Sequence, residues 1–370
     1  MTKVGILTMH RVLNYGSVLQ AFATQYVINK LGFNCEIIDY QYPNIFQFEH
    51  GVNFIPMSLK SKIAKKIWLK KRWRKINKFE LFYKKYLHLS CFYDSPYSIK
   101  KNPPLYDIYM TGSDQVWNPR FTKGDTTFLL DFIKDKKKIS YASSFACDHL
   151  DNAYVGAFKS LLQEYSNISV REDGGKKIIK ELLNIDVPVV LDPTLLISLE
   201  DWMSISKNRF YGRYKNKKYI LVYMLNYAFD PTSIIYKVIN KIHKDYSLEI
   251  ISIGKLNDKL IPEYKSIEAA GPIEFLNLFL GASCIITSSF HGTAFALNFE
   301  KPLFSISDTN MNNDDRQISL LKHLNLYNCI VNKNSNIEDL TIENNVTSGA
   351  KYLIEDMRKS SLAYLKKVLL

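Results

Sequence analysis

The chain has 370 residues, 46% hydrophobic and 23% charged, which excludes a disordered chain, a collagen-like repeat and a disulfide scaffold. Its 49 Lys+Arg against 36 Asp+Glu give a net charge of +13, and the length suits two domains that bury a full core without disulfides or a structural metal. The apolar run Val4–Leu7 is too short for a signal peptide, Phe275–Ile286 and Tyr219–Leu225 are too short to cross a bilayer, and five scattered cysteines without C-x-x-C spacing point to idle thiols in a reducing, cytoplasmic compartment.

In chain order, Val4–Thr8 reads as a strand, followed by the polar loop Asn14-Tyr15-Gly16-Ser17 and a helix that Gly32 ends. Cys35–Tyr40 is the second strand. A basic helical insertion follows at about 55–90. Between Gly51 and Phe79 there is no acid, against Lys60, Lys62, Lys65, Lys66, Lys70, Lys71, Arg72, Arg74, Lys75 and Lys78, so the rest of the chain is nearly neutral. Leu59, Ile63, Ile67, Trp73 and Ile76 share one broad side of this helix and Trp68 the other. Such a helix either packs its apolar side on its own domain or lies on an anionic membrane through residues 58–78. No nucleic-acid motif accompanies the charge.

Strands follow at Tyr106–Met110, Lys138–Ala142, Ile168–Val170 and Val187–Leu191, with helices at Asp151–Tyr165 and Gly174–Leu183. Lys207–Lys218 is a polar, basic linker. The alternation then resumes, with strands at Tyr219–Tyr223, Leu248–Ile253, Cys284–Thr287 and Pro302–Ile306. Helices lie at about Pro231–Lys244, Pro272–Gly281, Gly292–Asn298 and Asp315–Leu324. Alternation of this kind means α/β architecture, with parallel sheets covered by helices. The expected division is an N-terminal Rossmann-like domain over 1–205, a second over 206–344 and a C-terminal helix over 345–370, with the two domains facing across a cleft.

Ligands bind beyond the carboxyl ends of parallel strands, and the polar clusters fall there. Ser288-Ser289-Phe290-His291-Gly292 ends a strand and opens a helix, where free N–H groups favour an anion and a histidine can deliver a proton. Arg171 follows a strand and suits a carboxylate or phosphate, or a salt bridge to Glu172. Asn14, Tyr15, Gly16 and Ser17 follow the first strand, without a dinucleotide fingerprint. Ser113, Asp114, Gln115, Trp117 and Asn118 combine an aromatic face with amide and carboxylate groups, which suits a sugar or a buried turn. Asp192-Pro193-Thr194 is a further cleft turn. No cluster with metal-ligand spacing is visible.

Taken together these segments resemble the polysaccharide pyruvyl transferase family. The resemblance rests on N-Y-G-S-V-L-Q-A-F-A at 14–23, T-G-S-D-Q-V-W-N at 111–118, S-Y-A-S-S-F at 140–145 and S-V-R-E at 169–172. It continues with L-D-P-T at 191–194, G-P-I-E-F at 271–275, S-S-F-H-G-T-A-F-A-L at 288–297 and K-P at 301–302. Each motif is weak alone, and their order over residues 4 to 325 is specific.

The resemblance implies a GT-B-like fold and transfer of pyruvate from phosphoenolpyruvate (PEP) onto two hydroxyls of one sugar as a ketal, in surface or capsular polysaccharide synthesis. PEP is then a co-substrate, with no further cofactor. His291 matches the expected general acid and Arg171 an arginine near the PEP anion. Asn14, Gly16, Ser113, Asp114 and Asp192 match cleft positions. The donor side is assigned Arg171, Ser288, Ser289, Gly292 and Arg316. The acceptor side is assigned Asn14, Tyr15, Gly16, Ser17, Ser113, Gln115, Trp117, Asn118 and Asp192. Asp114 is the first choice for orienting or deprotonating the sugar hydroxyl, and Asp192 the second. The acceptor is expected to be a glycan, in one version lipid-linked at the inner membrane face.

One departure stands out. Many members carry an arginine in a pattern like R-L-H, where this chain has Ser289-Phe290-His291. Arg171, Arg316 or Lys301 is left to take its place. Two alternatives remain open: a nucleotide-sugar glycosyltransferase of similar architecture, and a non-catalytic relative that binds a glycan or membrane.

Overall fold

The computed structural model describes residues 2–41, 59–206, 214, 217–226, 229–308, 316–345 and 347–370, and the side chains from Leu69 onward in the basic helix. The expected linker at 207–218 lies mostly outside the described residues, as do the first residues of the basic insertion.

Two parallel sheets form the frame. The first contains β1 (Lys3–Leu7), β2 (Asn34–Tyr40), β3 (Leu89–Tyr93), β4 (Ile108–Thr111) and β5 (Lys137–Ser140), in the order β3-β2-β1-β4-β5. The second contains β6 (Tyr219–Tyr223), β7 (Glu249–Ser252), β8 (Lys265–Ser266), β9 (Cys284–Thr287), β10 (Leu303–Ile306) and β11 (Ile330–Val331), in the order β11-β10-β9-β6-β7-β8. Both orders reverse between the first and fourth strand of their sheet, which is the doubly wound Rossmann pattern.

The expected strands at 168–170 and 187–191 reduce to single parallel bridges, Ser143 to Val170 and Val170 to Val189. β3 has no counterpart in the sequence reading. It is an edge strand whose Cys91 and Phe92 face solvent, so it lacks the apolar run that marks a buried strand.

Side-chain alternation explains how the layers join. In β6, Tyr219, Leu221 and Tyr223 enter one core while Ile220 and Val222 enter another. Val4 and Ile6 of β1 join Tyr219, Leu221 and Tyr223 in a single apolar cluster. The inner faces of the two sheets and their helices therefore share a continuous core.

Three elements brace the two units. The long helix Leu59–Tyr86 buries Phe79, Phe82 and Tyr83 on the first unit and reaches the second through Lys71–Glu268 (2.6 Å) and Lys78–Glu274 (2.7 Å). Tyr15 donates to the Ala270 carbonyl at 3.0 Å and stacks on Phe275 at 4.7 Å. The Lys75 ammonium sits 4.5 Å over the Tyr15 ring; burial there, with Arg72 close by, pulls it down to about 8. The C-terminal helix Lys351–Leu369 returns to the first unit, where Ser361 accepts the Leu191 N–H at 3.1 Å and Arg358 donates to the Leu195 carbonyl at 2.7 Å. Among the described residues, no helix is long and apolar enough to cross a membrane.

Candidate functional site

The strand order reverses between β1 and β4 in one sheet and between β6 and β9 in the other, the place beyond which doubly wound sheets bind their ligands. After β1, Asn14 caps the helix Tyr15–Lys30 by accepting the N–H groups of Gly16 (2.9 Å) and Ser17 (3.4 Å). After β4, the chain turns at Asp114, whose φ of 79° is left-handed. Asp114 accepts the Ser17 hydroxyl at 2.5 Å and the Gln115 N–H at 2.9 Å, which ties the two loops together.

After β9, Ser289 caps the helix Phe290–Asn298 by accepting the Gly292 N–H at 3.3 Å. The Ser288 hydroxyl donates to the Leu225 carbonyl (2.6 Å) and accepts the Leu225 N–H (2.8 Å). Gly292 is required by space, because a Cβ there would lie 2.3 Å from the Thr287 hydroxyl oxygen. These residues build the turn that presents His291. Their polar groups serve the turn itself, so the donor contacts expected of Ser288 and Ser289 are already taken by backbone.

His291 crosses to the first unit. A Cβ on Gly16 would stand 2.1 Å from His291 Nδ1 and 2.3 Å from Cγ, so the imidazole lies flat against the bare Gly16 backbone. The other nitrogen, Nε2, is buried and has no hydrogen-bond partner among the described residues; Asp192 Oδ2 is 3.6 Å away.

Asp192 is the hub of the charged centre. Its Oδ2 accepts from Arg171 Nη1 and from the Ser113 hydroxyl, both at 2.9 Å. Its Oδ1 accepts the Thr194 N–H (3.0 Å) and hydroxyl (2.7 Å). Complete burial alone would raise its carboxyl. His291, Arg171 and the Thr194 N–H outweigh that and hold it far below the ordinary carboxylate range. The site therefore carries a fixed anion between imidazole and guanidinium.

Arg171 is 4% exposed and lies 4.2 Å over the Phe290 ring. Its Nε and Nη2 are buried and make no hydrogen bond among the described residues. Glu172 Oε2, at 3.8 Å from Nε, and Asp114 Oδ1, at 3.9 Å from Nη2, are both beyond reach. Arg316, 2% exposed at the start of the helix Arg316–His323, places its guanidinium 5.8 Å over the same Phe290 ring. Glu172 accepts from the Ser144 hydroxyl and from the N–H groups of Phe145 and Ala146. Burial raises its carboxyl, against the opposing pull of Arg171 and Arg316.

The structure thus brings together His291, Arg171, Arg316, Asp192, Ser113, Asp114, Ser17, Gly16 and Asn14. Four expected acceptor contacts lie elsewhere or are occupied. Tyr15 is 2% exposed and consumed by the brace to Ala270 and Phe275. Trp117 is fully buried among Phe145 and Tyr165 and donates its indole N–H to the Phe128 carbonyl, so no aromatic face is open to a sugar. Gln115 accepts from Asn118, which itself caps the turn Pro119–Thr122. Of the substitutes for the missing arginine, Arg171 and Arg316 are at Phe290. Burial lowers the Lys301 ammonium, and among the described residues its side chain makes no contact with this centre.

Neither Phe290 nor Thr194 was given a role of its own from the sequence. The signal for Phe290 was present: an aromatic replaces leucine at the position where the neighbouring arginine is lost. An exchange of that kind suits a ring that holds cations brought from elsewhere.

The frame has counterparts among solved structures. The UDP-GlcNAc 2-epimerase of Methanocaldococcus jannaschii superposes with a TM-score of 0.50 at 14% identity, covering 96% of this chain and 92% of that one. The glycosyltransferase SnogD of Streptomyces nogalater gives 0.47 at 11% identity over 98% and 96%. The E. coli ADP-heptose lipopolysaccharide heptosyltransferase II gives 0.43 at 9% over 96% and 99%. At a TM-score of 0.50 the first likeness concerns the fold alone, two Rossmann-like units in the GT-B arrangement. No curated protein sequence matches the chain. The sequence profile for polysaccharide pyruvyl transferase does match, over residues 14–310, a span that holds every member of the charged centre up to His291. With that span and the ordered motifs inside it, the chain belongs to the polysaccharide pyruvyl transferase family.

Proposed function

We propose that this transferase moves pyruvate from PEP onto two hydroxyls of a glycan sugar as a ketal, in the synthesis of a surface or capsular polysaccharide. The observation that carries this reading is the pair of buried Arg171 N–H groups that, among the described residues, make no hydrogen bond, next to an imidazole nitrogen in the same condition. Leaving buried donors unpaired costs about 1–3 kcal/mol each. A small dianion answers all three at once, with its carboxylate or phosphate on Arg171 and Arg316.

The chemistry follows from that placement. His291 Nε2 gives a proton to the methylene carbon of PEP, which makes the central carbon electrophilic. A sugar hydroxyl adds there and loses its proton to a carboxylate. A second hydroxyl then displaces phosphate, which carries off that hydroxyl's proton, closing the ketal. Asp192 is the carboxylate beside His291, while Asp114 is engaged with Ser17 and positions the loop. Held as a fixed anion, Asp192 orients the imidazole, and Asp114 stays the first choice for orienting or deprotonating the sugar hydroxyl.

The test is phosphate release from PEP in the presence of galactose-, mannose- or hexosamine-type acceptors, with the ketal identified by mass spectrometry. His291→Ala should keep the fold and lower turnover by roughly 10²–10⁴. Wild-type turnover in that variant removes His291 from the step. Thermal stabilisation by a nucleotide diphosphate sugar and not by PEP would replace this reading with glycosyl transfer.

A further inference from the structure

The long helix Leu59–Tyr86 has two sides of opposite character. At 100° per residue, its inner arc holds Lys71, Lys78, Phe79, Phe82 and Tyr83, all committed to the protein. Its outer arc carries Lys70, Trp73, Arg74, Leu81, Lys84 and Lys85. Trp73 is 61% exposed and Leu81 65% exposed, although apolar side chains of this size are ordinarily covered. The one acid at the edge of this arc, Glu80, lies 3.7 Å from Arg11.

The inner ion pairs and buried rings fix the helix rotationally, so the outer arc is held toward solvent by the fold. We infer that this arc docks the protein on an anionic membrane surface, with Trp73 and Leu81 entering the interface and the four cations meeting lipid headgroups. Charge complementarity names the partner. The outer arc carries Lys70, Arg74, Lys84 and Lys85 with no acid inside it, and a polybasic surface is drawn to anionic lipid. The two apolar side chains separate a bilayer from a nucleic acid. Phosphates reward the cations alone, whereas Trp73 and Leu81 gain only by leaving water. The helix is about 40 Å long, enough for an extended line of contact. The inference goes beyond pyruvyl transfer and is measured without donor or acceptor, so either can fail alone.

The experiment is co-sedimentation of the full chain with vesicles of phosphatidylcholine, with and without phosphatidylglycerol, at low and high salt. Binding should require the anionic lipid and weaken with salt. Each of Lys84→Gln and Lys85→Gln should lower affinity about fivefold. Trp73→Ser should weaken it further at constant charge. In a Trp68→Phe background, vesicles should shift tryptophan emission to the blue and Trp73→Phe should abolish the shift, since Trp117 and Trp202 are already fully buried. Trp73, Lys84 and Lys85 are exposed, and circular dichroism checks that every variant, Trp68→Phe included, keeps the fold. Three outcomes overturn the inference: no binding to anionic vesicles, duplex DNA bound as tightly as vesicles with no effect of Trp73→Ser, or a dimer in solution that Trp73→Ser dissolves.

Discussion

Replacing Gly16 by alanine adds one methyl group at the contact between the two units. The new Cβ would stand 2.1 Å from His291 Nδ1, and ordinary contact begins at 3.4 Å, so the imidazole must retreat by about 1.3 Å. Gly16 lies in the first turn of its helix, where alanine gains up to about 1 kcal/mol in propensity. Overpacking costs about 1–3 kcal/mol. The net change in stability is therefore small, between about 0 and 2 kcal/mol of loss. The catalytic cost is larger, because a misplacement of about 1 Å costs on the order of 10²-fold in rate. Three readouts check this: the melting temperature, phosphate release from PEP with acceptor, and the imidazole resonance of His291 by NMR. Gly156→Ala is the control, since nothing lies within 4 Å of a Cβ there; it should stabilise by roughly 0.5–1 kcal/mol and leave turnover alone. A Gly16→Ala protein with normal turnover and an unmoved His291 resonance would refute the reasoning.

Phe290→Leu keeps apolar bulk and removes the ring under two guanidinium groups. A desolvated cation–π contact is worth about 2 kcal/mol, so KM for PEP should rise roughly thirtyfold with kcat little changed, and Phe290→Trp should restore it. Equal loss in the leucine and tryptophan variants would mean that the ring only fills space. Asp192→Asn leaves Arg171 buried beside a neutral group and should cost about 3–5 kcal/mol, read by urea denaturation. Asp192 is held below its unfolded value, so its stabilisation is complete above about pH 4 and drains away as pH falls below that. Glu172, raised by burial, works in the opposite sense, losing stability as pH rises through its range. Asp192→Asn should therefore flatten the acid limb of the stability profile; an unchanged slope would show that other carboxylates set it.

The frame was legible in the sequence wherever a strand is buried on both faces. β1, β4, β6 and β9 read as unbroken apolar runs followed by polar turns, and they lie at the centres of the sheets. β3 was not legible because its residues half face solvent. The meeting of Arg171 with His291 was legible only through motif order, since no local pattern brings residues 120 positions apart to one carboxylate. Trp117 shows the opposite limit. Its polar neighbours suited a sugar platform or a buried turn, and the second holds: Phe145 and Tyr165 cover it. Gly16 was assigned to the acceptor side; in the structure an imidazole from the other unit lies against it.

The return of the last helix to the first unit has a consequence for biosynthesis. Domains ordinarily mature in the order in which they leave the ribosome. Here the Leu191 N–H and the Leu195 carbonyl wait for Ser361 and Arg358, and Tyr141 waits for Tyr364. The half of the protein made first is thus the half completed last, and a nascent chain stalled before residue 351 leaves the ribosome with its opening domain unsealed.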